Sequence, residues 1–272
     1  MASSIANIDE TLLRTYIHGC HIMHHHQVVD AYGHLSIRIS PTIFLMCRYM
    51  APALVSSRDD LVLYSVDTGE ALDSNAPRGF SERYIHSEVY KAYPGVQAVI
   101  HSHSLDVVPF SLVPSRPLKA CIHMAGFLGT AVPVWDATAS YYQQHPDAER
   151  SMLVNNTEMG ASLATALSTA DCYGLPQHAV ALMRGHGYVC TGESIEMVVA
   201  KAIYTAHNAR VQTTVNCLVG ASSTTSSNTP DILYFDEREA TDTGRTTIQG
   251  AAKPWPLWVA EVTKDSLYTM DL

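Results

Sequence analysis

The apolar run Ala98-Val99-Ile100 ends in His101-Ser102-His103, two histidines spaced i and i+2. In a strand alternate side chains share a face, so the two imidazoles point the same way. Two neighbouring imidazoles are half of a metal site. Two other stretches offer the remainder: Glu82 in Ser81-Glu82-Arg83-Tyr84-Ile85-His86, and His186 in Arg184-Gly185-His186-Gly187. Catalytic zinc sites commonly take three protein ligands and keep one position open for water or substrate. Three neutral imidazoles from His101, His103 and His186 would hold a divalent ion as a Lewis acid, able to polarise a carbonyl or stabilise an enediolate. Glu82 is then a fourth ligand or a general acid–base. Taken singly, each piece has an ordinary alternative: a buried histidine pair, a glycine turn, an exposed acid in the first turn of a helix.

The elements that must position these residues follow from patterning. Apolar residues at three- and four-residue spacing predict a helix over 8–29, capped by Asn7 or Asp9. It carries His18, His21, His24, His25 and His26, which have no acidic partner nearby and read as ordinary helix positions. Alternation predicts a strand over 35–39, followed by strands over 42–47 and 60–66. A helix over 82–92 is opened by Ser81 as its N-cap, and the strand carrying His101 and His103 spans 96–103. Residues 109–117, with three prolines, read as a loop. Short strands are expected over 131–134, 178–183 and 188–191. A helix runs from Asn155 or Thr157 to Leu167, and the longest helix spans 194–218.

A chain of 272 residues suffices for one large core. The formal charge of −9 and the lack of a Lys/Arg cluster argue against a nucleic-acid partner. No apolar segment reaches the roughly 18 residues of a spanning helix, and no secretory signal is visible at the start. Six scattered cysteines without a C-x-x-C pair suggest small buried hydrophobes in a reducing cytoplasm. A catalytic domain is expected over 1–220. A Ser/Thr-rich linker from 221 to 229 would lead to a C-terminal extension, ending at 272, that packs on the body or on a neighbour.

Taken in order, Gly33-x-x-Ser36, Ser81-Glu82 with His86, His101-x-His103 and Gly185-His186-Gly187 resemble the class II aldolase/adducin family over residues 12–212. The resemblance implies a three-layer α/β/α fold with a central, mainly antiparallel sheet, and a ring-shaped homotetramer with sites near subunit boundaries. It implies Glu82 as catalytic acid–base and His101, His103 and His186 as ligands of a divalent metal, zinc foremost, with manganese or cobalt as alternatives.

Sugar-phosphate members of that family hold phosphate with Gly-Asn, Thr-Gly and Ser-Ser pairs. Here these become Gly33-His34, the stretch Arg48-Tyr49-Met50-Ala51-Pro52, and Phe80-Ser81. The chain instead resembles the branch containing dihydroxyphthalate-type decarboxylases. The expectation is a metal-dependent carbon–carbon lyase, acting by decarboxylation or retro-aldol cleavage on a small hydroxylated aromatic or keto/hydroxy acid through a metal-stabilised enolate. His34, Ser36, Arg48, Ser81, His86 and His123 are the expected substrate contacts. A metal-dependent epimerase or isomerase, a sugar-phosphate aldolase, and a non-enzymatic adducin-like interaction module remain as alternatives.

Overall fold

The computed structural model describes residues 5–222, 232–250 and 252–272. Seven strands form one sheet: β1 (His34–Ser40), β2 (Ile43–Cys47), β3 (Leu61–Ser65), β4 (Ala98–Ser102), β5 (Val134–Trp135), β6 (Val180–Met183) and β7 (Gly187–Gly192). Their order is β3-β2-β1-β4-β7-β6-β5. β4 is buried at every position, as a strand covered on both faces must be, and it lies in the middle. Every pairing is antiparallel except β5 with β6.

Five helices accompany the sheet: α1 (Glu10–His25), α2 (Arg83–Ala92), α3 (Val108–Leu112), α4 (Thr157–Thr165) and α5 (Ile195–Ser222). α1 packs with α5, and α2 with α4, which makes the fold a three-layer α/β/α arrangement with a mainly antiparallel centre. Two more helices follow. α6 (Glu237–Gly250) lies on the 3-10 helix His123–Leu128, and α7 (Trp255–Lys264) lies on α1.

Several elements differ from the sequence expectation. α1 is shorter than the apolar stripe: it opens at Asp9, whose carboxylate accepts from Thr11 N–H, and stops before Gln27, which has positive φ. α2 begins at Arg83 with Glu82, not Ser81, in the cap position. Asn156 caps α4 by accepting from Met159 N–H. The proline-rich stretch holds helix α3, with Pro109 in its first turn, where a missing N–H is harmless. β4 ends at Ser102, so His103 lies just beyond it. Of the expected 221–229 linker, the first two residues end α5, and the rest lie outside the described residues. No helix among the described residues is long and apolar enough to cross a membrane.

Candidate metal centre

Three elements deliver four side chains to one point. His101 comes from β4, where it sits opposite Val189 on one side and His34 on the other. His103 follows the strand end. His186 occupies the β6–β7 turn. Gly185 has φ +66° there, and a Cβ on Gly187 would stand 2.0 Å from the Ser102 carbonyl oxygen. The two glycines therefore let the turn press against the end of β4, which brings His186 beside His103. Glu82, at the head of α2, makes no capping hydrogen bond. Its carboxylate instead turns inward and accepts from Val154 N–H at 3.2 Å.

His103 Nε2 lies 2.8 Å from His101 Nε2 and 3.0 Å from His186 Nε2. Glu82 oxygens lie 3.5 Å from His101 Nε2 and 3.6 Å from His186 Nε2. Ligands about 2.0–2.1 Å from a tetrahedral ion stand about 3.3 Å from one another, so these spacings suit a shared cation. The hydrogen inventory agrees. His101 Nδ1 faces the Tyr188 carbonyl at 3.1 Å, and a carbonyl only accepts, so Nδ1 carries the hydrogen and Nε2 presents a lone pair. One hydrogen on His103 Nε2 could serve only one of its two imidazole neighbours. Three nitrogens and a carboxylate converging in this way are a donor set for a divalent ion. Among the described residues this is the only group of three or more such side chains that fits one.

Electrostatics keep the donors in their ligating forms. Burial, then the neighbouring histidines, lower His103 and His186 to about 4, so both are neutral at pH 7. For Glu82 burial pushes upward, but His101, His186 and Val154 N–H outweigh it and bring the carboxyl down to about 2. Glu82 is therefore a buried carboxylate. A cavity of about 550 Å³ reaches His103 and is walled by His24, Asp106, Arg210 and Tyr268, among others.

The expected substrate contacts separate into two groups. His34 lies beside the centre, its ring 5.1 Å from that of His101 and 4.6 Å from Phe80. Behind it His34 Nδ1 meets His86 Nε2 at 2.7 Å, and His86 Nδ1 meets Ser36 Oγ at 2.6 Å. His86 thus has both ring nitrogens committed within the protein. Arg48 is engaged by Asp60, at 3.0 and 3.1 Å. Ser81 is exposed and borders a separate cavity of about 320 Å³ with Arg78 and Arg83. His123 stands exposed at the head of the 3-10 helix under α6. The sequence reading missed the Tyr188 carbonyl and the Val154 N–H, since backbone groups carry no residue signature. It also missed Tyr90, which continues the chain from Ser36 at 2.7 Å. The i, i+4 spacing of His86 and Tyr90 on α2 was the available signal.

The family profile of the Class II Aldolase and Adducin N-terminal domain matches residues 14–213. The chain belongs to this family. Among relatives, Decarboxylase tropJ of Talaromyces stipitatus is 41% identical over 259 residues, covering 94% of this chain and 96% of its own. A 3,4-dihydroxyphthalate decarboxylase of Arthrobacter keyseri is 26% identical over 195 residues, 68% of this chain and 70% of its own. Among solved structures, L-fuculose 1-phosphate aldolase from Glaciozyma antarctica PI12 superposes with TM-score 0.67 at 18% identity, covering 99% of this chain and 96% of its own. An aldolase II superfamily protein from Pseudomonas syringae superposes with TM-score 0.69 at 16% identity over 98% of each chain. Class II aldolases use a divalent metal, and this member of the family, a lyase, carries a Glu/His cluster able to hold one.

Proposed function

We propose that this protein is a divalent-metal-dependent decarboxylase of a small hydroxylated aromatic acid. The observation that carries the reading is the convergence of Glu82 with His101, His103 and His186 on one point. The decarboxylase relatives favour loss of carbon dioxide over aldol cleavage. The residues around the centre favour it too: where sugar-phosphate members carry Gly-Asn and Ser-Ser, this chain packs His34 against Phe80.

His101, His103 and His186 would hold the ion, with Glu82 as a fourth ligand or a free base. Three imidazoles suit zinc, and manganese or cobalt would also bind. The bound ion would supply Lewis acidity that draws electron density onto the substrate oxygen beside the breaking bond. Glu82, held as a carboxylate, accepts the proton of the substrate's ortho-hydroxyl and hands it to the ring carbon that bears the carboxylate. The carbon–carbon bond then breaks, its electron pair returns to the ring, and carbon dioxide leaves. The phenolate product takes one proton from water. His34 and Phe80 wall the substrate. Six free cysteines suit a reducing compartment such as the cytoplasm, and a homotetramer is the proposed assembly.

Metal analysis beside a carbon dioxide assay tests the reading. Wild-type protein should hold about one equivalent of divalent ion and release carbon dioxide from an ortho-hydroxy aromatic acid. His103→Ala should lose both while staying folded. Glu82→Gln should keep the metal and lose about 100- to 10,000-fold in turnover. Full turnover in His103→Ala would sink the proposal. A product of unchanged mass would mean an isomerase, and a protein that takes up no metal would mean an interaction module.

A further inference from the structure

Behind the centre lies a buried polar chain that the proposed reaction leaves unused. Tyr90, Ser36, His86 and His34 follow one another at 2.7, 2.6 and 2.7 Å, and all four are buried. Each contact takes one hydrogen, and Ser36 has one to give, so the chain must run in one direction. Tyr90 faces two acceptors, Ser36 Oγ at 2.7 Å and the Gln97 carbonyl at 3.4 Å. An O–H···O bond spans about 2.5–3.0 Å; the Gln97 contact exceeds that, and this carbonyl already accepts Arg38 N–H at 2.7 Å, so the phenol hydrogen goes to Ser36. Ser36 then donates to His86 Nδ1, and His86 Nε2–H donates to His34 Nδ1. The hydrogen of a neutral His34 is left on Nε2, an atom that makes no hydrogen bond among the described residues.

This chain cannot conduct a net proton. It ends at Tyr90, which burial holds far above the ordinary tyrosine range, and at a carbonyl that has no hydrogen to give. What it can do is orient. We propose that Tyr90, Ser36 and His86 are positioning residues that hold His34 as its Nε2–H tautomer, a neutral donor to a carboxylate oxygen of the substrate beside the metal centre. The proposal rests on the reading of the substrate as a hydroxylated carboxylic acid. A neutral donor suits that chemistry. Decarboxylation discharges the carboxylate, so a full positive charge there would stabilise the ground state more than the transition state. Because His34 Nδ1 accepts from His86 Nε2–H, that nitrogen carries no hydrogen of its own, which makes the ring a neutral imidazole.

Two measurements on the metal-loaded full chain test this, and they separate the positioning role from the substrate reading. The first is the ring tautomer of His34 by long-range proton–nitrogen correlation on histidine-labelled protein, with the signal assigned by its loss in His34→Asn. Wild type should show Nε2–H, and Ser36→Ala should mix the two tautomers. Ser36→Thr, which keeps the hydroxyl, should restore the wild-type signal. A wild-type Nδ1–H tautomer, or a signal indifferent to Ser36→Ala, overturns the proposal whatever the substrate is. The second is the binding of salicylate against salicylamide, its uncharged isostere. Wild type should prefer salicylate, and Ser36→Ala should lose about tenfold of that preference at unchanged metal content, with rescue by Ser36→Thr. An equal loss for both ligands would overturn the donor role. Equal binding of both by wild type, with the Nε2–H tautomer in place, would overturn the carboxylate reading instead.

Discussion

Two buried carboxylates in this chain are ionised for different reasons. Glu82 is 6% exposed and is held down by the imidazoles that would share its ion, so its charge belongs to the site. Asp60 is also 6% exposed, but its partners are structural. Burial pushes its pKa upward, and Ser56 N–H, Ser57 N–H and Arg48 together pull it below its ordinary value. It thereby ties the turn after residue 55 to the end of β2. A carboxyl with a depressed folded pKa stabilises the fold above its unfolded pKa of about 4, and that contribution fades as pH falls through the lower folded value. Acid unfolding of the metal-free protein should therefore show less pH dependence below about pH 4 in Asp60→Asn. The variant should also be less stable at pH 7, by about 1–3 kcal/mol in denaturant melts, since two backbone donors and Arg48 lose a charged acceptor. Equal slopes for both proteins on the acid limb would show that Asp60 contributes nothing there. Arg48 was read from the sequence as a substrate contact. In the fold its guanidinium serves Asp60, a partner twelve residues away that no local motif announces.

At the scale of elements, the site depends on how closely β7 approaches the end of β4. Gly187 is the point of contact, and an added Cβ would meet the Ser102 carbonyl at 2.0 Å and the Ser102 carbonyl carbon at 3.0 Å. Backbone cannot give way as a side chain can, so Gly187→Ala should push the turn outward and carry His186 away from His103. The expected outcome is a loss of about 1–3 kcal/mol in stability together with weaker metal binding, measured by chelator competition. Gly250→Ala, where a Cβ meets nothing within 4 Å, is the control and should leave metal affinity unchanged. A Gly187→Ala protein with wild-type affinity would mean that the turn does not set His186. Gly185-His186-Gly187 was legible in the sequence because each residue has a local reason to be what it is. The strands were legible too, since β1 to β4 and β6 carry period-2 or fully apolar runs. Helix ends were less so: α1 stops just before a positive-φ residue that patterning does not reveal, and the prolines around α3 masked a helix that carries one in its first turn. The hydrogen-bonded line from His34 to Tyr90 draws on β1 and α2, which lie about fifty residues apart in sequence. Only the packed fold puts them in register.

For the whole molecule, the question is what the chain beyond residue 213 does, since the family match ends there. Its helices do not stand apart. Trp258 is 6% exposed, with its ring 5.1 Å from His26 and 6.4 Å from Tyr204. Tyr268 stacks on His21 at 5.0 Å, and its hydroxyl lies 2.9 Å from His24 Nδ1. His21, His24 and His26, read from the sequence as ordinary helix positions, are thus a platform for the C-terminal segment. Burial, acting on His21 foremost, lowers it to about 4 and keeps it neutral, so the stack carries no charge into the interface. The same segment borders the cavity that reaches His103, which joins the extension to the metal centre through space and not through a ligand. If the extension is part of the folding unit, Trp258→Ala should cost about 3–5 kcal/mol, or roughly 6–20 °C in melting temperature for a domain of this size. Unfolding should remain a single transition, and about one equivalent of metal should still bind, because all four ligands lie before residue 213. Two separated transitions, with only the first moved by Trp258→Ala, would instead mean an independent appendage. Cavity access would then be set by a segment that can open without disturbing the sheet.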